Sequence, residues 1–137
     1  MKIVLDTNVL FAALRSNRGA SFQLLDRVGT GAFDIALSVG VVLEYEEKLK
    51  EHAADFGLSA REIDDVIDYL CSVAELKEIF FLWRPYLPDG DDDMLLELAV
   101  AARCDAIVTL NVRDFAGAER FGVRILAPRQ FLQEINP

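Results

Sequence analysis

The sequence predicts a single α/β domain built on a parallel sheet with helices on both faces. Short apolar runs that suit buried strands alternate with segments whose apolar residues recur at helical spacing. Strands that alternate with helices favour parallel pairing, since each crossover helix returns the chain to the same end of the sheet. A chain of 137 residues, 53% of them hydrophobic, suits one domain over residues 1–137 with its own core.

Each predicted element follows from a local pattern of apolar, capping and turn residues. The predicted strands are Lys2–Leu5, Phe33–Leu37, Glu78–Trp83, Ala106–Leu110 and Val123–Leu126. The predicted helical segments are Asn8–Arg15, Ser21–Val28, Ser38 to His52, Ser59 to Ala74, Asp91 or Asp92 to Arg103, a short turn at Phe115–Phe121, and Arg129–Glu134. Ser38 and Ser59 are the expected N-caps of their helices, and Glu62 would complete a capping box with Ser59. Pro85 and Pro88 predict an extended loop after the third strand.

Composition and charge limit the classes of protein to which the chain can belong. No apolar run reaches about 18 residues, and the stretch Met1–Leu5 is too short for a signal peptide, so we expect a cytoplasmic protein without a membrane span. Cys71 and Cys104 lack metal-type spacing and are expected to be reduced thiols. The net charge of −9 repels phosphate at long range. A nucleic-acid partner would therefore require a local basic patch, a basic protein partner, or carboxylates neutralised by metal.

Acidic residues fall where predicted strands give way to the segments that follow them. Asp6 comes immediately after the first strand, and Asn111 and Asp114 come just after the fourth. Asp92 opens the helix beyond the third strand, and Glu44 lies about two turns into the helix after the second. Sites in open parallel sheets form beyond the carboxyl ends of the strands, so these side chains are expected to converge on one edge.

Carboxylates that converge in this way predict a site for a divalent cation. They raise one another's pKa and destabilise the fold unless a cation joins them. Carboxylate oxygen suits hard cations, so Mg²⁺ or Mn²⁺ is the expected cofactor, bound as one ion or as two. Such a cation lowers the pKa of a bound water, which can attack a phosphodiester in line, and it offsets charge on the phosphate. The acids therefore favour metal-dependent phosphodiester hydrolysis.

Several of these polar residues also have an ordinary structural explanation. Asp6 could cap the helix that begins at Asn8, because aspartate is a favoured cap. The segment Thr109–Phe115, which contains Asp114, could form an Asx-type turn. Glu44 could lie on a solvated helix face, although it sits at the edge of the apolar stripe of its helix.

The acidic run Asp89–Asp93 is the strongest local feature of the sequence. Acids at a helix N-terminus stabilise it by about 0.3–1 kcal/mol each. Three or four acids exceed that need, because they repel one another, so at least one is expected to meet a cation. The acidic run by itself leaves open which of Asp91, Asp92 and Asp93 is that ligand.

The chain resembles the PIN-domain family of metal-dependent ribonucleases, which includes VapC-like toxins of toxin–antitoxin pairs. The resemblance covers nearly the whole chain. It rests on Ile3–Leu10, on Leu37–Tyr45, on Asp89–Asp92 followed by Leu95–Ala99, and on Ala106–Asn111 with Arg113–Phe115. Each motif is weak alone, whereas all of them in this order and spacing are fairly specific. Gly90 stands where the family often has proline, which is a difference within a loop.

The resemblance implies a role for each matching residue. Asp6, Glu44, Asp92 and Asp114 would be the catalytic and metal-coordinating acids. Asn8, Thr109, Asn111, Asp89 and Asp91 would support them, with Thr109 or Asn111 orienting the ligands. Asn111 stands where other members have aspartate, so a second metal site could be weaker. Arg15 or Arg113 is expected to contact phosphate of the RNA.

The resemblance also implies an architecture and partners. The fold would be a three-layer α/β/α sandwich with a central, mostly parallel sheet of about five strands. The activity would be that of a Mg²⁺- or Mn²⁺-dependent endoribonuclease. The expected partners are the RNA substrate, a second copy of the chain and an antitoxin protein. An inactive PIN-like binding or regulatory module is the alternative, although all of the expected acids are present.

Other classes of α/β protein and of catalytic site fit the sequence less well. An aspartyl-nucleophile phosphatase needs a second aspartate two residues after the first, where this chain has Asn8. A receiver domain would carry a lysine after the fifth strand, which here runs into Ala127 and Pro128. No glycine-rich turn follows the first strand, as a dinucleotide fold would require. The one histidine, His52, lies in a charged stretch, which argues against histidine-based catalysis.

Overall fold

The computed structural model describes residues 1–79, 87 and 89–136, and within them the predicted alternation of strands and helices is confirmed. The strands are β1 (Lys2–Leu5), β2 (Asp34–Leu37), β3 (Glu75–Leu76), β4 (Ala106–Val108) and β5 (Arg124–Leu126). The α-helices are α1 (Thr7–Arg15), α2 (Ala20–Asp26), α3 (Val39–Glu51), α4 (Ala53–Phe56), α5 (Ala60–Val73), α6 (Gly90–Ala101) and α7 (Pro128–Ile135). Two 3₁₀ helices, Val112–Phe115 and Ala118–Phe121, lie between β4 and β5.

The described strands form one parallel sheet in the order β3-β2-β1-β4-β5. Helices cover both faces, so the three-layer α/β/α architecture is confirmed. In the centre, Ile3 of β1 pairs with Ile35 of β2 on one side and with Ala106 of β4 on the other. The chain leaves β1 toward β2 and later returns on its opposite side as β4. The direction of crossover therefore changes between β1 and β4, which is where α/β folds place their ligand sites.

The core lies on two neighbouring strands, β1 and β4, which are apolar except for Lys2 at the start of β1. Ile3, Val4 and Leu5 of β1, together with all of β4, are buried. Helix α6 packs across β1, β2 and β4. A strand that is covered on both faces has a nearly continuous run of apolar residues, which is why β1 and β4 could be recognised in the sequence.

Several helix ends carry the caps that the sequence predicts. The Ser38 hydroxyl accepts a hydrogen bond from the Val41 amide at 3.3 Å at the start of α3. Ser59 and Glu62 form the capping box of α5, with reciprocal hydrogen bonds of 3.1 and 3.0 Å. The prediction for α6 is wrong by one or two residues: the helix begins at Gly90, and Asp89 caps it by accepting from the Asp91 amide at 2.9 Å. Asp89 takes the cap because its carboxylate reaches that amide from outside the helix.

The third strand is the element that the sequence analysis misplaced. It was predicted at Glu78–Trp83, but the structure forms β3 at Glu75–Leu76, and Glu78 and Ile79 lie outside any strand. Both residues of β3 are exposed at the edge of the sheet, so the strand has no buried pattern to detect. Residues 80–83 of the predicted strand, and the loop with Pro85 and Pro88, lie outside the described residues.

Candidate active site

A cleft of about 490 Å³ opens beyond the carboxyl ends of β1 and β4, at the change of crossover direction. Its walls come from the residues that follow β1, from α1, from α3, from the start of α6 and from the turn after β4. The lining residues are Asp6, Thr7, Asn8, Phe11, Ala12, Arg15, Glu44, Lys48, His52, Asp89, Asp91, Asp92, Leu95, Leu110, Asn111 and Asp114. The cleft thus brings together Asp6, Glu44, Asp92 and Asp114, which come from distant parts of the sequence.

Asp6 is held by a hydrogen-bond network that joins the ends of the two central strands. The Thr109 hydroxyl, fully buried, donates to Asp6 Oδ2 at 2.8 Å. Asn8 Nδ2 donates to Thr109 Oγ1 at 3.4 Å, and Asn8 Oδ1 accepts from the Leu110 amide at 3.1 Å. The Asn111 amide donates to the same Thr109 oxygen at 3.0 Å. Thr109 therefore orients the Asp6 carboxylate from below the cleft.

Asp6 combines the position of a helix cap with a side chain that faces the cleft. Asp6 occupies the N-cap position of α1, but its carboxylate makes no N-cap hydrogen bond. Instead, the side chain is buried, with 8% of its surface exposed, and faces the cleft. The Thr109 hydroxyl holds this carboxylate and the amides of Asn8 and Thr7 also act on it, and its cleft-facing side remains available to a further partner.

The side chains of the acidic run Asp89–Asp93 have different surroundings. Asp93 is buried, and its Oδ1 accepts from the Leu87 amide at 2.7 Å. Asp91 is exposed and lines the cleft, whereas Asp92 both lines the cleft and is buried. Asp92 is thus the member of the run that combines burial with access to the cleft. This geometry supports the choice of Asp92 among the alternatives that the sequence left open.

Glu44 reaches the cleft from α3, where its neighbour fixes the helix to the sheet. Tyr45 is fully buried and its hydroxyl donates to the Leu5 carbonyl, at the end of β1. Glu44 itself is half-buried and lines the cleft. Because Leu5 directly precedes Asp6, this hydrogen bond sets the position of Glu44 relative to Asp6.

The turn after β4 supplies the remaining predicted residues. Asp114 and Asn111 are exposed and line the cleft, and the Asp114 amide donates to the Asn111 carbonyl at 3.0 Å. Arg113 is exposed on the same 3₁₀ helix but is not among the lining residues. Arg15 does line the cleft. A phosphate contact by either arginine stays a prediction.

Burial and mutual repulsion raise the pKa values of the cleft carboxyls. Burial, and after it the charges of Asp6, Asp89 and Asp114, raise the pKa of Asp92 to about 7. Burial also raises the pKa of Asp6, against the opposing effects of the Thr109 hydroxyl and of the amides of Asn8 and Thr7. The pKa of Glu44 is raised by burial and then by the charge of Asp91. Repulsion of this kind is relieved when a cation joins the carboxylates.

The donor chemistry of the cleft suits a hard divalent cation. Its candidate ligands offer carboxylate, amide and hydroxyl oxygen, which Mg²⁺ and Mn²⁺ prefer. Among residues 1–79, 87 and 89–136, no three histidine, cysteine, aspartate or glutamate side chains are grouped closely enough to hold a metal ion between them. Mg²⁺ keeps several waters and commonly binds through one or two carboxylates, so Asp6 and Asp92 fit its requirement without a closed protein cage.

The cleft also contains residues that the sequence analysis did not assign to it. Phe11, Lys48 and His52 line its far wall. The rings of Phe11 and His52 pack edge to face, with centroids 4.9 Å apart. Lys48 and His52 follow Glu44 at intervals of four residues, which places Lys48 on the same face of α3 as Glu44 and His52 just beyond it at the C-cap. That spacing was the sequence signal that could have found them.

Two remaining sequence predictions concern the cysteines and a membrane span. Cys71 and Cys104 are free thiols, as predicted, and Cys104 is buried. Within the part of the chain that the structure describes, no helix is both long enough and apolar enough to cross a bilayer.

Comparison with known proteins agrees with the fold and identifies the family. In solved structures, a chain of the VapBC2 complex of Rickettsia felis, crystallised with a DNA fragment from its promoter, superposes with a TM-score of 0.63. The match covers 93% of this chain and 98% of that one at 16% identity, a level that shows a shared fold. No curated protein matches the sequence. The family model for the PIN domain matches residues 2–113, and the chain therefore belongs to the PIN-domain family.

Proposed function

We propose that this protein is a Mg²⁺- or Mn²⁺-dependent endoribonuclease whose active site is the carboxylate cleft beyond β1 and β4. The observation that carries the proposal is the convergence of two buried carboxyls, Asp6 and Asp92, with Glu44 and Asp114 at one edge of the sheet. Membership of the PIN-domain family supports a nuclease. The raised pKa values of the cleft carboxyls support a cation as their partner.

In this proposal each polar residue of the cleft has a distinct task. Asp6 and Asp92 hold the cation, and Glu44 and Asp114 complete the negatively charged site around it. Thr109 and Asn8 keep Asp6 oriented, and Asn111, Asp89 and Asp91 support the rim of the site. When bound, the cation supplies positive charge that stabilises the phosphate in the transition state and lowers the pKa of a water.

We further propose that the protein is the toxin of a toxin–antitoxin pair and acts in the cytoplasm. The support is the shared fold with a chain of the Rickettsia felis VapBC2 complex, over nearly the whole of both chains. An antitoxin protein and a second copy of this chain are the expected partners. Induction of the wild-type chain in a bacterial host should arrest growth, and the Asp6→Asn variant should not.

The decisive test is cleavage of total cellular RNA by the purified protein, in Mn²⁺ and in EDTA. Cutting should require Mn²⁺ and should fall by at least about a hundredfold in Asp6→Asn and Asp92→Asn, which remove charge but not volume. Asp26→Asn is the matched control, because Asp26 is exposed at the end of α2 and does not line the cleft. Equal cutting by wild type and both cleft variants would contradict the proposal.

The same variants separate an enzyme from an inactive binding module of the same fold. A module without metal chemistry would show no cleavage and no stabilisation by Mn²⁺ in thermal unfolding. The proposed nuclease should be stabilised by Mn²⁺ in proportion to the logarithm of its concentration, whereas Asp92→Asn should not.

A further inference from the structure

The carboxylate cleft continues into a groove whose far end carries positive charge. Helices α1 and α3 pack against each other, and both lead away from the carboxylates. Along α3 the cleft-facing residues change from Glu44 to Lys48, about 6 Å further along at 1.5 Å per residue, and His52 follows at the C-cap of the helix. Along α1 they change from Asn8 to Arg15. The groove is thus negative at the sheet edge and positive at its other end.

Neither cation at this end forms a close ion pair in the described part of the chain, although the charge of Lys48 acts on Glu44 four residues earlier and lowers its pKa. Lys50, on the same helix as Lys48, is bound to Glu46 and Asp64 at 3.2 and 2.7 Å. No such ion pair forms at Lys48 or Arg15 within residues 1–79, 87 and 89–136. In a chain of net charge −9, carboxylates are abundant, so two cations in one groove that form no close ion pair with the described residues point to an anion from outside.

Arg15 is also held in place by an aromatic cluster. Its guanidinium carbon lies 5.2 Å from the centroid of the Phe11 ring. Phe11 in turn packs edge to face against His52 and Phe56, with centroids 4.9 and 4.8 Å away. A guanidinium that rests on an aromatic face loses little freedom on binding, and its N–H groups remain available to a phosphate.

We propose that Arg15 on one wall and Lys48 on the other form a subsite for a phosphate of single-stranded RNA, next to the phosphodiester at the carboxylates. The inference rests on the proposed ribonuclease function. It adds the path that the substrate strand takes across the protein. A polyanion laid along α1 and α3 meets the metal at one end and these cations at the other. The subsite also explains how a chain of net charge −9 can hold RNA.

The test measures binding separately from cleavage. A fluorescein-labelled single-stranded RNA of about twelve nucleotides is titrated with protein in EDTA, and its anisotropy is followed between about 50 and 300 mM KCl. The test variant is Arg15→Gln with Lys48→Gln. The control is Arg18→Gln with Lys50→Gln, which removes the same charge from α3 and from just beyond α1 but outside the groove. Thermal unfolding of both variants confirms that they fold.

The proposal predicts a specific loss of phosphate contacts. The salt slope of log Kd for the test variant should be shallower by about 1.4, at about 0.7 per contact with single strands. Its affinity at low salt should be about 10- to 30-fold weaker, and the control should stay within about twofold of wild type. An unchanged slope, an equal loss in the control, or no measurable binding by the wild type would overturn the subsite.

Cleavage kinetics distinguish this inference from the function on which it rests. With Mn²⁺ and the same RNA, the test variant should raise KM more than it lowers kcat, because it weakens substrate binding away from the reacting phosphate. An active enzyme with unchanged KM and salt slope would overturn the subsite and leave the ribonuclease proposal standing. If the wild type cut no RNA, the ribonuclease proposal would fail, while the binding comparison would still decide the subsite.

Discussion

The Thr109 hydroxyl donates a 2.8 Å hydrogen bond to Asp6 Oδ2 across the junction of β1 and β4. The two residues are 103 positions apart in the chain and meet because β1 and β4 are neighbours in the parallel sheet. The Asn8 amide and the Asn111 backbone converge on the same hydroxyl. One buried threonine therefore links both halves of the cleft.

Replacing Thr109 with valine should impair the site more than the fold. Valine keeps the shape but removes the donor to Asp6, so RNA cleavage with Mn²⁺ should fall by about 10- to 100-fold. The free energy of unfolding should fall by only about 1 kcal/mol, because the side chain stays packed. Thr109→Ser, which keeps the hydroxyl, is the control for kcat/KM and for urea unfolding. Equal activity of the valine and serine variants would refute this role for Thr109.

Glu44 and Glu47 offer a matched pair on one helix. Glu44 lines the cleft, whereas Glu47 is exposed outside it. Glu44→Gln should reduce cleavage by at least about tenfold, because it removes one charge from the site, and Glu47→Gln should leave it within about twofold. Initial rates at saturating Mn²⁺ give the comparison. If the two variants lost activity equally, the loss would reflect net charge and not the cleft.

Tyr45 should matter for both stability and activity. Its buried hydroxyl donates to the Leu5 carbonyl, so Tyr45→Phe leaves that carbonyl without its partner. The free energy of unfolding should fall by about 1–2 kcal/mol in urea titration, with a smaller loss of cleavage. Tyr69→Phe is the matched control, since the Tyr69 hydroxyl donates to the Val28 carbonyl at a half-exposed site remote from the cleft. A change in cleavage with Tyr69→Phe alone would contradict the assignment.

The raised pKa of Asp92 predicts how stability depends on pH. Asp92 has a pKa of about 7 in the folded protein, against about 4 in an unfolded chain. Its contribution to stability is therefore complete below about pH 4 and is lost as the pH rises toward 7. In EDTA, Asp92→Asn should remove that loss and stabilise the protein at neutral pH by roughly 1–2 kcal/mol, after allowance for solvent screening.

Urea unfolding in EDTA from about pH 4 to pH 7.5 checks this prediction. Asp26→Asn should show the wild-type dependence on pH, because Asp26 is exposed and away from the cleft. Parallel curves for wild type and Asp92→Asn would show that Asp92 titrates normally and carries no repulsion from its neighbours.

The sequence predicted the parts of the fold whose physical causes are local. Strands β1 and β4 are buried on both faces and so are continuous apolar runs. The capping box of Ser59 and Glu62 is a pattern of adjacent residues and was equally visible. Asp6 and Asp114 could be found because each follows one of these strands closely.

Features that depend on tertiary contacts were predicted less well. Strand β3 is exposed and pairs with β2 just after the end of α5, so its own residues carry no buried pattern that predicts the pairing. The order of acids in Asp89–Asp93 did not reveal that Asp89 caps α6 or that Asp93 accepts from Leu87. The His52 side chain belongs to a charged stretch, yet the packing of its ring on Phe11 places it in the cleft.

Direct measurement of Mn²⁺ binding, by electron paramagnetic resonance of the free ion, tests the central claim that the cleft carboxylates hold a divalent cation. The wild type should bind Mn²⁺, and Asp6→Asn and Asp92→Asn should each weaken binding by at least about tenfold. Asp26→Asn should bind as the wild type does. Binding of equal strength in the wild type and both cleft variants, or no binding by any of them, would contradict the account.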